Sequence, residues 1–212
     1  MTDWQQTIGW LFSGREISLL LKTLYTLFVC ALIPIYWRYY GPANFLWFSD
    51  LALLLTVAAL WLESPLLASM QVVSVLLLEL LWIVDFVTRL ASGVELTGLA
   101  DYMFKADKPL FVRALSLFHL VLPFLLLWLV CRLGYDRRAW VAQSIMAWLV
   151  LLVCYFFTEP SENVNWVFGP GNRPQLWIAP ELYLVLLLLF FPLCIYLPTH
   201  LLVGALIYGI SH

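Results

Sequence analysis

The chain has 212 residues, of which 64% are hydrophobic and 11% charged, with a mean hydropathy of +0.93 and a formal net charge of −2. Soluble domains carry about 25% charged residues, so a water-exposed globule is excluded, and the acidic balance offers no basic surface for nucleic acid. Cys30, Cys131, Cys154 and Cys194 stand far apart in or beside apolar segments, which excludes a CxxC redox pair or a zinc knuckle and reads as packing.

A helix that crosses the hydrocarbon layer of about 30 Å needs about 20 mostly apolar residues. Six stretches qualify, and the expected fold is an all-α polytopic bundle forming one integral membrane domain over residues 1–212. The chain opens on an aromatic stretch (Trp4, Trp10, Leu11, Phe12) suited to the membrane interface. It has no basic residue before Arg15 and no small-residue cleavage site after the first apolar segment, so that segment is expected to remain as a helix. The expected spans are about 17–37, 43–62 and 65–88, the last opened by Pro65. A polar stretch from Arg89 to Pro109 follows as a loop, then spans at about 111–133 and 139–158. The last span, about 180–208, is too long for one perpendicular crossing and holds Pro192 and Pro198, so it reads as a tilted, kinked helix.

Six spans place both termini on one face and the loops around Gly41, Glu95 and Gly169 on the other. The compact Arg132, Arg137, Arg138 loop favours termini inside. Trp37, Tyr39, Tyr40, Trp61, Trp140 and Trp177 sit near span ends, where amphipathic rings anchor at the interface. No internal repeat indicates an inverted-repeat transporter.

Ionisable groups inside a span are costly and mark a functional interior. Asp50, Glu79 and His119 each fall seven to nine residues in from the same face, at a common depth of about 10–14 Å, and are expected to share one cavity. Asp85 lies nearer the surface, and His200 falls towards the opposite face, which disfavours a bis-histidine haem. Gln71, Ser74 and Asp85 share a stripe of the third span, as do Ser116, His119 and Pro123 of the fourth. An imidazole beside carboxylates is the equipment of a general base, which points to a membrane-embedded lipid-ester hydrolase or acyl transferase with Ser49 or Ser116 as a hydroxyl nucleophile and Asp50 or Glu79 orienting the ring. The fifth loop concentrates Asn163, Asn165 and Arg173 around Gly169, Pro170 and Gly171, giving a candidate substrate-binding lid. No GxSxG, HExxH or Walker loop is present; no metal or cofactor is expected, and membrane lipids and partner subunits are the expected partners. The alternative is a non-catalytic scaffold or accessory subunit whose buried polar groups pair off and fix helix packing.

The run Tyr40, Gly41, Phe45, Leu46, Phe48, Asp50, Leu51 resembles the second-helix entrance of the androgen-induced and androgen-dependent TFPI-regulating membrane proteins. His119, Leu122, Pro123 and Phe124 resemble that family's His-containing helix, and Trp166, Val167, Phe168 and Pro170 its last loop. The spacing is also similar to that of bacterial multi-span relatives, which implies a bacterial inner membrane. The resemblance implies hydrolysis of fatty-acid esters of hydroxy fatty acids by a Thr nucleophile and a His base. Carried over, His119 takes the base position and Trp47 falls at the nucleophile position, with Ser49 two residues on.

Overall fold

The computed structural model describes residues 16–171 and 173–211. The aromatic stretch around Trp4 and Trp10, Arg15 and Asn172 lie outside the described residues. The described chain is a helical bundle: α1 (Leu19–Tyr40), α2 (Phe48–Leu62), α3 (Pro65–Ser92), α4 (Leu110–Leu115), α5 (Phe118–Leu133), α6 (Ala139–Phe157), α7 (Pro180–Phe190) and α8 (Leu197–Ser211). Five stretches are long and apolar enough to cross a membrane: α1, α3, α4 with α5, α6, and α7 with α8. Such helices are those of a multi-pass membrane protein, because in lipid every backbone group must be paired within the segment.

The second expected span is the one whose form differs. Instead of one helix over 43–62, Gly41 (φ +85°) ends α1, Pro42–Leu46 make a tight helical turn, and α2 begins only at Phe48. Fifteen residues of α2 rise about 22 Å, less than the layer is thick. The break leaves Asn44, Trp47 and Ser49 around an opening rather than along a rod.

Prolines set the other irregularities. Pro123 has no N–H for the carbonyl of His119 four residues back, and just upstream the chain tightens: the Ser116, Leu117, His119 and Leu120 amides each donate to the carbonyl three residues earlier. This separates α4 from α5 and puts His119 in the first turn of α5. Pro192 likewise falls in a widened π-helical turn, Phe191–Tyr196, through which the chain continues from α7 to α8.

α3 is the axis of the bundle, packing against α2, α5, α6 and α8. Pro65 at its first turn and the Ser64 hydroxyl, which accepts the Leu67 N–H at 3.3 Å, start it; Gly93 at φ +74° ends it. Ala68–Leu76 are buried without interruption, so that this stretch of α3 is enclosed on every side. Small residues allow the close approach: Ala52, Ala59, Ala68 and Ala147 are fully buried.

One end of the bundle gathers the start of α1, the α2–α3 and α5–α6 turns and α8. Glu63 accepts the Ile17 N–H at 2.9 Å and pairs with Lys22 at 2.7 Å, and Asp136 donates its N–H to Ser69 at 2.9 Å. The Tyr135 hydroxyl lies 2.6 Å from His200 Nδ1 at the same end. The opposite end carries residues 41–47, 93–109 and 158–179, here called the loop end.

Candidate functional site

Asp50 in the first turn of α2, Glu79 in α3 and His119 in the first turn of α5 meet at the wall of a cavity of about 470 Å³ below the loop end. His119 Nδ1 lies 2.7 Å from Glu79 Oε2, and the two side chains are 9% and 1% exposed by residue, so the contact excludes water. An Nδ1–H given to the carboxylate leaves Nε2 as the acceptor, and Nε2 makes no hydrogen bond to a described residue. The ring is held flat between Phe118 (4.1 Å, 27°) and Trp82 (4.6 Å, 23°), and Trp82 stacks in turn on Phe86. Its orientation is therefore fixed on both faces and at one nitrogen.

The carboxylates are not fully used. Asp50 Oδ1 and Glu79 Oε1 are buried without a protein partner. Buried polar atoms are almost always satisfied, and a cavity of this size with polar walls lies in the range of small-molecule sites. Asp50 lies within electrostatic reach of both His119 and Glu79.

A shelf of hydroxyls faces the pair. The Tyr36 hydroxyl lies 2.6 Å from Ser116 Oγ, with the Tyr40 and Tyr102 phenols beside the same serine. Burial pushes the Tyr102 phenol well above its usual range, so it remains a neutral donor. Ser49 is half-buried and lines the cavity, but neither it nor Ser116 hydrogen-bonds the imidazole. Trp47, where the resemblance puts a nucleophile, is a wall, edge-on to Trp166 at 5.4 Å.

The roof is residues 95–105, and Asp85 holds it. Its Oδ1 accepts the N–H groups of Leu96 and Thr97 at 3.0 and 2.9 Å, and its Oδ2 that of Ala100 at 2.9 Å. Arg89 adds ion pairs to Glu95 (2.8 Å) and Asp101 (2.5 Å), and Lys105 also pairs with Asp101. These cations hold the Asp101 carboxyl below the usual range, Lys105 foremost. Asp85 is therefore an anchor for backbone amides and not an exposed surface charge.

The fifth loop divides its residues. Asn165 reaches the cavity, yet its amide is committed: Oδ1 accepts the Phe48 N–H at 3.1 Å and Nδ2 donates to the Leu46 carbonyl at 2.7 Å. It latches the loop to the broken entrance of α2. Asn163 is spent inside the loop, accepting from Phe168 and donating to the Gly169 and Gly171 carbonyls, and does not line the cavity. Arg173 is exposed and away from it. Of Asn163, Asn165 and Arg173, the expected substrate-binding side chains, Asn165 stands at the site, together with Gly171 of the expected lid. Asn163, Asn165 and Trp166 all take positive φ (42°, 51° and 59°), a rare conformation that the asparagine bonds stabilise and that is a genuine outlier for Trp.

The expected inward stripe of α3 also splits. Gln71 and Ser74 are buried away from the cavity, where Gln143 of α6 donates to Ser74 Oγ at 2.9 Å. His200 is at the far end, with Tyr135. No group of three or more His, Cys, Asp or Glu side chains poised for a metal occurs among the described residues. Helical periodicity missed Tyr36, Tyr40 and Tyr102, of which Tyr40 read as an interfacial aromatic; the signal was Tyr36 and Tyr40 on one face, four residues apart.

Fold and site together define a polytopic helical membrane protein with a carboxylate–imidazole pair in a polar cavity. No family model, curated protein or solved structure matches the chain.

Proposed function

We propose that the protein is a membrane-embedded hydrolase of lipid esters in which His119 is the general base and Glu79 orients it. The observation that carries this reading is the buried Glu79–His119 pair with its second ring nitrogen unbonded, on the wall of a cavity lined also by Asp50, each of the two carboxylates keeping one buried oxygen without a protein partner. A scaffold whose polar groups merely join helices would pair them off and leave no such space.

Because no hydroxyl contacts the imidazole, water is the nucleophile best supported. His119 Nε2 takes a proton from a water in the cavity as its oxygen attacks the ester carbonyl. The tetrahedral intermediate collapses to the carboxylic acid, and the imidazolium returns the proton to the departing alkoxide. The neutral phenols around Ser116 are the available donors for the oxyanion. The resemblance to the androgen-induced family supports the same base, His119, while Trp47 removes that family's nucleophile. A bacterial inner membrane as the site of action is part of the same proposal.

The test is turnover of a series of long-chain esters by the purified protein in lipid vesicles, with Ser49→Ala beside the wild type. Turnover retained in Ser49→Ala supports attack by water, and its loss would transfer the nucleophile to Ser49. No turnover of any ester would overturn the reading.

A further inference from the structure

A second cavity, about 610 Å³ and almost wholly apolar, runs along the lipid-facing side of α7. Tyr183, Leu186, Leu187, Phe190 and Cys194 line it at the i, i+3, i+4, i+7, i+11 spacing of one helix face. From Tyr183 to Cys194 this face extends about 16 Å, half of the hydrocarbon layer and thus the depth of one leaflet. Trp177 and Ile178 mark its mouth at the loop end. Trp166 and Gly171 line both this groove and the polar cavity. The two spaces therefore meet, and the partition between them is the Trp166 ring, wedged between Trp47 and Phe191 on a backbone at φ +59°.

We infer that groove and cavity form one site for a single-chain amphiphile drawn sideways from the leaflet at the loop end. Its acyl chain lies on α7, its linkage passes Trp166 and its head group sits before Glu79 and His119. This rests on the ester-hydrolase reading for the head group and adds the substrate class. One groove of one-leaflet depth holds one chain, which excludes diacyl lipids. The cavity walls carry Asp50, Glu79, Glu95 and Asp101 against Lys105, so an uncharged head is accepted and an anionic one repelled. A monoacylglycerol is the simplest lipid of this description.

The experiment is photolabelling of the full-length protein in phosphatidylcholine vesicles by a monoacylglycerol with a diazirine in its chain, the adducts mapped by mass spectrometry. Adducts on Leu186, Phe190 and Cys194 are expected, displaced by unlabelled monoacylglycerol at a concentration at least tenfold below that needed of acylglycerol phosphate. Leu186→Trp, which fills the groove from a half-exposed position, is expected to cut that labelling at least fivefold while the protein stays monodisperse. Labelling reads occupancy of the groove without turnover, so failure of the hydrolase chemistry and failure of the groove are separable. Adducts spread equally over the outer face of α1 and not displaced, or equal competition by the anionic lipid, would overturn the inference.

Discussion

Asn165 offers a test of how the loop end is built. It is 1% exposed, and its amide satisfies one donor, the Phe48 N–H, and one acceptor, the Leu46 carbonyl, where α2 breaks. Each main-chain group left unsatisfied costs about 1–3 kcal/mol, and Ala at φ +51° adds about 1 kcal/mol of backbone strain that Gly avoids. Asn165→Ala is expected to destabilise by about 3–7 kcal/mol and Asn165→Gly by about 1 kcal/mol less. For a chain of this length that is a fall of roughly 6–28 °C in the unfolding midpoint in detergent. The assay is thermal unfolding of both variants followed by tryptophan fluorescence. An Ala variant within about 2 °C of the wild type would refute the latch, and equal Ala and Gly midpoints would refute the strain.

Gly169 has no room for a side chain: a Cβ would stand 2.4 Å from the Gln175 nitrogen and 2.7 Å from the Arg173 carbonyl oxygen. Gly169→Ala should therefore disorder the loop, seen as faster proteolysis between residues 158 and 179, and an unchanged cleavage rate would contradict this packing. Ala68→Leu forces a larger side chain into the fully buried axis of α3 and should cost about 1–3 kcal/mol by SDS titration; a neutral result would mean the helices are less tightly apposed than described. The roof should be acid-labile. Asp101 is held below its ordinary pKa, so its ion pairs contribute fully above the unfolded value near 3.9 and are lost as pH falls through the lower folded value. Amide exchange of residues 95–105, corrected for intrinsic rates, should stay constant from pH 7 to 5 and rise below about pH 4. A rise already between pH 7 and 5 would contradict the assignment.

Much of this architecture is legible in the sequence, because lipid demands long apolar runs whose backbone pairs within itself. The ends of α1, of α3, of α4 with α5 taken together and of α6 fall within about four residues of their expected positions, within the usual ambiguity of helix ends or just beyond it. The α2 entrance was not legible, since its residues are mostly apolar through the break and only Gly41, Pro42 and Asn44 signal it. That Asp50, Glu79 and His119 share one cavity was readable from their similar distance along the chain from the loop end, although Asp50 and His119 stand in the first turns of α2 and α5 beyond breaks the sequence did not show. Azimuth was not: Ser74 turns to Gln143 of α6, and Gln71 is buried away from the cavity with neither amide atom bonded. The roles of Asp85 and Asn163 depend on backbone amides of folded loops, which residue type alone does not place. Tyr36 and Tyr40 carry both a ring and a hydroxyl, and composition cannot say which one the fold uses.

The central claim is that the Glu79–His119 pair is a working base and not a packing contact. Its most direct test is His119→Gln, whose amide can still donate to Glu79, measured for both unfolding midpoint and turnover of the best ester found for the wild type. The expected result is a midpoint within a few degrees of the wild type and a loss of at least about 10²-fold in turnover. A stable, monodisperse His119→Gln protein that hydrolyses the ester at the wild-type rate would contradict it.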